Sequence, residues 1–175
     1  PDDADGLYLH ESDGGRLSLR RCVLAEGDDD GLDTLNANVT VDECVLRDWP
    51  NPNEDAKGIS VFHGEVTVRS SVIDGCYVGI SAKSSGPLAT VTVNGCTIRA
   101  LTQGVSAAWK SNATTGAIQI TTVNSIVWAG AAIHSDFGED RHRVRFSNLS
   151  QPWPGEGVVT VAPLWVDPPS GRFEL

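Results

Sequence analysis

Four aspartates, Asp5, Asp29, Asp30 and Asp33, have the residue type and spacing most suggestive of chemistry in this chain. Carboxylates brought close together repel unless a cation lies between them. Calcium suits such a set, because it takes six to eight hard oxygens in tolerant geometry; magnesium, which keeps its waters, suits it less well. The alternative is that these acids hydrate a turn, with Asp30 paired to Lys57. Lys83 and Lys57, in that order, are the candidate bases for proton abstraction. Tyr77, Phe62 and Ser60 are the candidate substrate contacts. None of this chemistry exists unless residues some 25 positions apart become neighbours, so the question passes to what repeats along the chain.

The repeat is plain. One phrase recurs as Leu17-Ser-Leu-Arg-Arg-Cys-Val-Leu, Val39-Thr-Val-Asp-Glu-Cys-Val-Leu, Val66-Thr-Val-Arg-Ser-Ser-Val-Ile and Val91-Thr-Val-Asn-Gly-Cys-Thr-Ile, with looser copies at Thr121, Val144 and Val159. A second phrase interleaves with it: Gly6-Leu-Tyr-Leu, Gly31-Leu-Asp-Thr, Gly58-Ile-Ser-Val, Gly79-Ile-Ser-Ala and Gly104-Val-Ser-Ala, then Ala132-Ile-His-Ser. Both alternate apolar with polar residues, the period of a strand. Self-similarity at 20 to 30 residues is the signature of a solenoid, whose coils bury their apolar faces only by stacking about 4.8 Å apart. The expected fold is all-β, a right-handed parallel β-helix of six to seven coils forming a single domain over residues 1–175. A β-sandwich also uses short alternating strands, but it does not need one phrase to recur in register.

Stacking predicts columns. The residue after each Gly points inward: Leu7, Leu32, Ile59, Ile80, Val105 and Ile133. The next points outward: Tyr8, Asp33, Ser60, Ser81, Ser106 and His134. Two further on come His10, Leu35, Phe62, Lys83, Ala108 and Asp136. Just before the Gly come Asp5, Asp30, Lys57, Val78 and Gln103. Asp5, Asp29, Asp30 and Asp33 thereby fall on one patch of two adjacent coils. Cys22, Cys44 and Cys96 share one inward column with Ser71, and Cys76 lies off it. No Cys-x-x-Cys pair points to zinc or thioredoxin-like chemistry, and no base recurs beside a cysteine, so the thiols are read as small core groups. Trp49, Tyr77, Trp109 and Trp153 are candidates for stacking on sugar rings or for covering coil edges.

Charge and composition narrow the function classes. Residues 1–55 carry 15 of the 23 acids and only 4 of the 13 bases, so no basic face for nucleic acid is expected. The longest stretch free of charged residues, 111–135, has polar residues throughout, which excludes a lipid-facing helix. A chain opening on Pro1 without any Met reads as a segment of a longer protein.

The run Asp29-Asp30-Gly31-Leu32-Asp33, with Asp5-Gly6 one coil earlier, resembles the calcium site of the ninth polysaccharide lyase family, the right-handed β-helix pectate lyases. The resemblance implies calcium held by Asp5, Asp29, Asp30 and Asp33, an acidic polysaccharide as partner, and a lysine on a later coil as base. In that family the lysine falls two places after a strand glycine; here Ser60 and Ser81 hold those places. More broadly, Asp55-Ala-Lys-Gly-Ile-Ser60, Gly79-Ile-Ser-Ala-Lys83 and Ala162-Pro-Leu-Trp-Val-Asp-Pro-Pro-Ser-Gly-Arg-Phe173 are similar to β-helix regions of large secreted bacterial proteins. That implies a secreted or cell-surface module, monomeric or tethered to other domains. If the chain is an enzyme, the expected reaction is calcium-dependent β-elimination at a uronic acid sugar. A hydrolase using two of the aspartates is a further reading. The alternative class is a non-catalytic binding or spacer module, since fold alone does not imply catalysis.

Overall fold

A computed structural model describes residues 4–10, 15–53, 55–110 and 116–165. Residues 111–115 and most of the closing 162–173 phrase lie outside the described residues.

The described chain forms β1 (Tyr8–His10), β2 (Arg16–Arg20), β3 (Val23–Ala25), β4 (Leu32–Asp42), β5 (Val45–Arg47), β6 (Lys57–Arg69), β7 (Val72–Ser84), β8 (Ala89–Asn94), β9 (Thr97–Trp109), β10 (Ile118–Val123), β11 (Ile126–Trp128), β12 (Ala131–Ser135), β13 (His142–Arg145) and β14 (Asn148–Leu149). Its one helical segment is the 3-10 turn Glu139–Arg141. No helix there is long and apolar enough to cross a membrane. Every strand pairing is parallel.

The pairings sort into three faces of one solenoid. The Gly-led phrases make the first face, through β1, β4, β6, β7, β9 and β12. The Val-Thr-Val phrases make the second, through β2, β4, β6, β8, β10 and β13. The segments that follow them make the third, ending on β14. Long strands such as β4 and β6 bend at a corner and so serve two faces. Leu32, Ile59, Ile80, Val105 and Ile133 stack inward as predicted, at most 2% exposed. The corresponding leucines of the first coil, Leu7, Leu9, Leu17, Leu19 and Leu24, are only half-buried against that core.

The turn count is lower than expected. The same corner recurs six times, at Arg21, Glu43, Ser70, Gly95, Asn124 and Phe146, each with a φ between 47° and 64°. Six corners enclose about five turns rather than six to seven coils. The last echo of the repeat, at Val159, contributes one isolated bridge to Asn148. Pro152, Pro154 and Pro163 around it have no amide hydrogen to give a ladder.

The glycine column has a steric cause. A Cβ on Gly6, Gly31, Gly58 or Gly79 would lie 2.4–2.9 Å from the carbonyl oxygen of the next glycine along the stack, and one on Gly104 would lie 2.6 Å from the oxygen of Ala132. Coils approach too closely there for any side chain. Ala132 ends the column on β12, the last strand of that face, which explains why alanine is tolerated.

The cysteine column is polar as well as compact. It runs Cys22, Cys44, Ser71, Cys96, Ser125 and Ser147. Each thiol or hydroxyl donates to the carbonyl two residues earlier. The Cys44 amide donates to Ser71 Oγ at 3.0 Å, and the Cys96 and Ser125 amides donate to Ser125 Oγ and Ser147 Oγ at 3.2 Å. The column thus satisfies amides that leave the ladder at the corner. All four thiols are free, and burial pushes Cys76 up to about 12. Ser71→Ala should strand the buried Cys44 amide and cost about 1–3 kcal/mol, while Ser71→Cys should cost under about 1 kcal/mol because Cys already serves that place in neighbouring coils. Urea unfolding of both variants checks the pair.

Candidate functional site

The register that sets the core also sets the outer surface of the first face. Tyr8 pairs with Asp33, Asp33 with Ser60, and Ser60 with Ser81. Leu35 pairs with Phe62, and Phe62 with Lys83. The Gly6 amide donates to the Asp30 carbonyl, and the Gly31 amide to that of Lys57, which stacks Asp5, Asp30 and Lys57. These columns line an open cleft of about 420 Å³ bounded by Tyr8, Asp29, Asp30, Asp33, Leu35, Lys57, Ser60, Phe62, Lys83 and Lys110.

Acids gather at one end of the cleft. Carboxylate oxygens of Asp5, Asp29 and Asp30 lie within 4.8 Å of one another. Asp33 lines the cleft but is not part of this trio. Asp5 Oδ1 accepts the Asp30 amide at 3.2 Å. Asp30, 5% exposed, accepts the Lys57 amide at 2.8 Å and the Lys57 ammonium at 3.4 Å, both through Oδ1. The same ammonium donates to the Asp55 carbonyl and lies 3.4 Å from the Asp55 carboxylate. Burial raises Asp30 above the usual carboxylate range, against the pull of Lys57. Burial also works against charge on Lys57, but the Asp30 and Asp55 carboxylates overcome it and hold the ammonium above the usual lysine value.

The trio supplies enough oxygens to suggest a hard cation, but the set does not fit calcium while Lys57 is in place. The most buried carboxylate is already shared between an amide and an ammonium, and a divalent ion there would sit beside a fixed positive charge.

Lysines gather at the other end. Lys83 extends from β7 beside Phe62. Burial, followed by the neighbouring Lys57 ammonium, pushes Lys83 down to about 8, with Asp30 opposing. Lys110 lies just past β9, its Nζ 5.3 Å from the Phe62 ring centroid. His63 stacks on Phe62 at 3.9 Å between centroids.

The structure brings Asp29, Asp30, Asp33, Lys57, Ser60, Phe62 and Lys83 into one cleft, and Asp5 to its edge. Tyr77 is elsewhere: its amide donates to the Trp49 carbonyl and its side chain packs on the core. Tyr8 is the aromatic that lines the cleft in its stead. Tyr8, Leu35 and Lys110 were missed as site residues, although Tyr8 and Leu35 stand in the outward columns that found Asp33 and Phe62. Trp49, 1% exposed, is a core plug under Gly27 and Gly31. A separate groove of about 470 Å³ runs over the second face along Ser18, Thr40 and Thr67. It holds none of the perturbed ionisable groups.

No protein-family model, no curated protein and no solved structure matches this chain. Competitive labelling with a small acylating reagent should find Lys83 half-titrated near pH 8. Lys57→Gln should move that midpoint up only in part, because burial, the larger cause, stays in place. Peptide mass spectrometry over a pH series reads both.

Proposed function

We propose that the cleft of the first face binds an acidic polysaccharide, and that Lys83 is its reactive group. The observation that carries this reading is the placement of Lys83, a lysine weakened as an acceptor of charge by its surroundings, in an open cleft beside Phe62 and opposite Asp29 and Asp33. Lys110 supplies an exposed positive charge for a sugar carboxylate. Tyr8 and Phe62 offer ring faces for the apolar side of a pyranose. Near neutral pH a useful fraction of Lys83 is an uncharged amine able to take a proton. In a uronic acid unit the proton beside the carboxylate is the acidic one. Its transfer to Lys83 Nζ leaves electrons that form a carbon–carbon double bond as the glycosidic C–O bond breaks, and the pair from that bond leaves on the glycosidic oxygen, which takes a proton from water. The resemblance to the ninth polysaccharide lyase family suggests this reaction class, although here Lys57 stands where that family's calcium would and the base lies outside that family's register. The likeness to secreted bacterial β-helix regions supports a place outside the cell, where such polymers lie.

The test is incubation with polygalacturonate and with alginate, with and without calcium, following the ultraviolet absorbance of unsaturated products and, separately, retardation of the protein in polymer-containing gels. The reading expects absorbance with one polymer and a loss of about 100-fold or more in Lys83→Ala. Retardation without absorbance assigns a binding module instead. Neither signal with either polymer overturns the proposal.

A further inference from the structure

Asp5, Asp29 and Asp30 form the densest acidic group among the described residues, and its most buried member, Asp30, already meets the Lys57 ammonium. Lys57 follows Asp5 and Asp30 in the column that precedes each glycine, one coil further along. Val78 and Gln103 continue that column, so the cationic residue occurs once, directly after the acids. Its side chain is 4% exposed and that of Asp30 is 7% exposed. A lysine buried to that degree without partners would carry a heavy desolvation cost. Here its donors meet Asp30 Oδ1, the Asp55 carbonyl and the Asp55 carboxylate. Its own amide caps the same Asp30 oxygen. Main chain and side chain of one residue therefore converge on one carboxylate, a built arrangement rather than a passing surface contact.

We infer that the Lys57 ammonium is the resident cation of the Asp5–Asp29–Asp30 group, occupying by covalent attachment the place that a divalent metal would otherwise take. The wild-type chain then needs no metal to hold these acids together. It also disfavours calcium, because a metal at the trio must either displace the ammonium from Asp30 or bind beside it. Removing the positive charge while leaving the acids should uncover a calcium site. This inference stands on the acid group and Lys57 alone, so it survives or fails independently of any polymer.

Calorimetric titration with calcium chloride, with no polymer present, tests it on the wild type, Lys57→Gln and the double variant Lys57→Gln/Asp29→Asn. The expected result is no saturable binding by the wild type up to millimolar calcium. Lys57→Gln should bind on the order of tenfold more tightly or better, with a rise in melting temperature on adding calcium, and Asp29→Asn should remove the gain. Saturable binding by the wild type that is equal in Lys57→Gln overturns the inference. Should Lys57→Gln fail to fold, the wild type still decides through nitrogen-detected NMR of lysine side chains. A slowly exchanging Lys57 Nζ resonance untouched by calcium supports the assignment, and one that calcium shifts or erases overturns it.

Discussion

Everything in this molecule depends on parallel coils stacked in fixed register. Backbone ladders such as Leu32 to Ile59 to Ile80 tie each coil to the next at one strand spacing. A shift by one residue would turn every inward valine and isoleucine to solvent, so burial of the core locks the register. The glycine column tightens that lock, because only glycine lets one coil's backbone lie against the next carbonyl. The cysteine and serine column does the same at the corner, where each thiol or hydroxyl closes a hydrogen bond that the turn would leave open. Chemistry on the first face is a by-product of this geometry. Residues 25 or 27 positions apart become neighbours because one turn of chain separates them.

The cleft is electrostatically divided and internally compensated. Asp29, Asp30 and Asp33 share the cleft with Lys57, Lys83 and Lys110, so three acidic groups are set against three basic ones. Lys57 stands between the two groups. It neutralises the acids at one end and, as an ammonium, discourages a second positive charge on Lys83 at the other. A buried pair of this kind adds less stability than its Coulomb attraction suggests, because both charges give up water. Its consequence is specificity of arrangement: Asp30 turning outward to serve a ligand would leave Lys57 only Asp55 as a partner.

Much of this was legible in the residues. The columns of Leu7, Tyr8 and His10 and their equivalents were readable because a solenoid repeats one phrase, and an inward valine in one coil fixes the direction of its neighbours. The juxtaposition of Asp5, Asp30 and Lys57 followed from the same columns, and pairing of Asp30 with Lys57 was one of two open readings of the acids. The choice between them was not legible. It turns on the reach of one lysine side chain and on the Asp55 carbonyl, which lies in an irregular stretch that no repeat describes. Tyr77 was misplaced for a similar reason: it sits where β7 is irregular between Asp74 and Val78, so strand alternation does not fix its side. The number of turns expected is too high because the echo near Val159 keeps the alternation of the phrase while prolines remove the amides that a further coil needs. The polar role of the Cys22 column is not legible in the sequence, because a cysteine's residue type points to a small core group and not to a cap for a corner amide.

The central coupling is that of Asp30 with Lys57 across adjacent coils. A double-mutant cycle measured by urea unfolding, using Asp30→Asn, Lys57→Gln and both together, tests it most directly. Lys57→Gln should cost about 3–5 kcal/mol by leaving the buried Asp30 carboxylate without its cation, Asp30→Asn should cost less because Asp55 still meets the Lys57 ammonium, and the double variant should recover about 1–3 kcal/mol of the summed loss. Additivity within about 0.5 kcal/mol would mean that the two side chains do not interact, and would contradict the account.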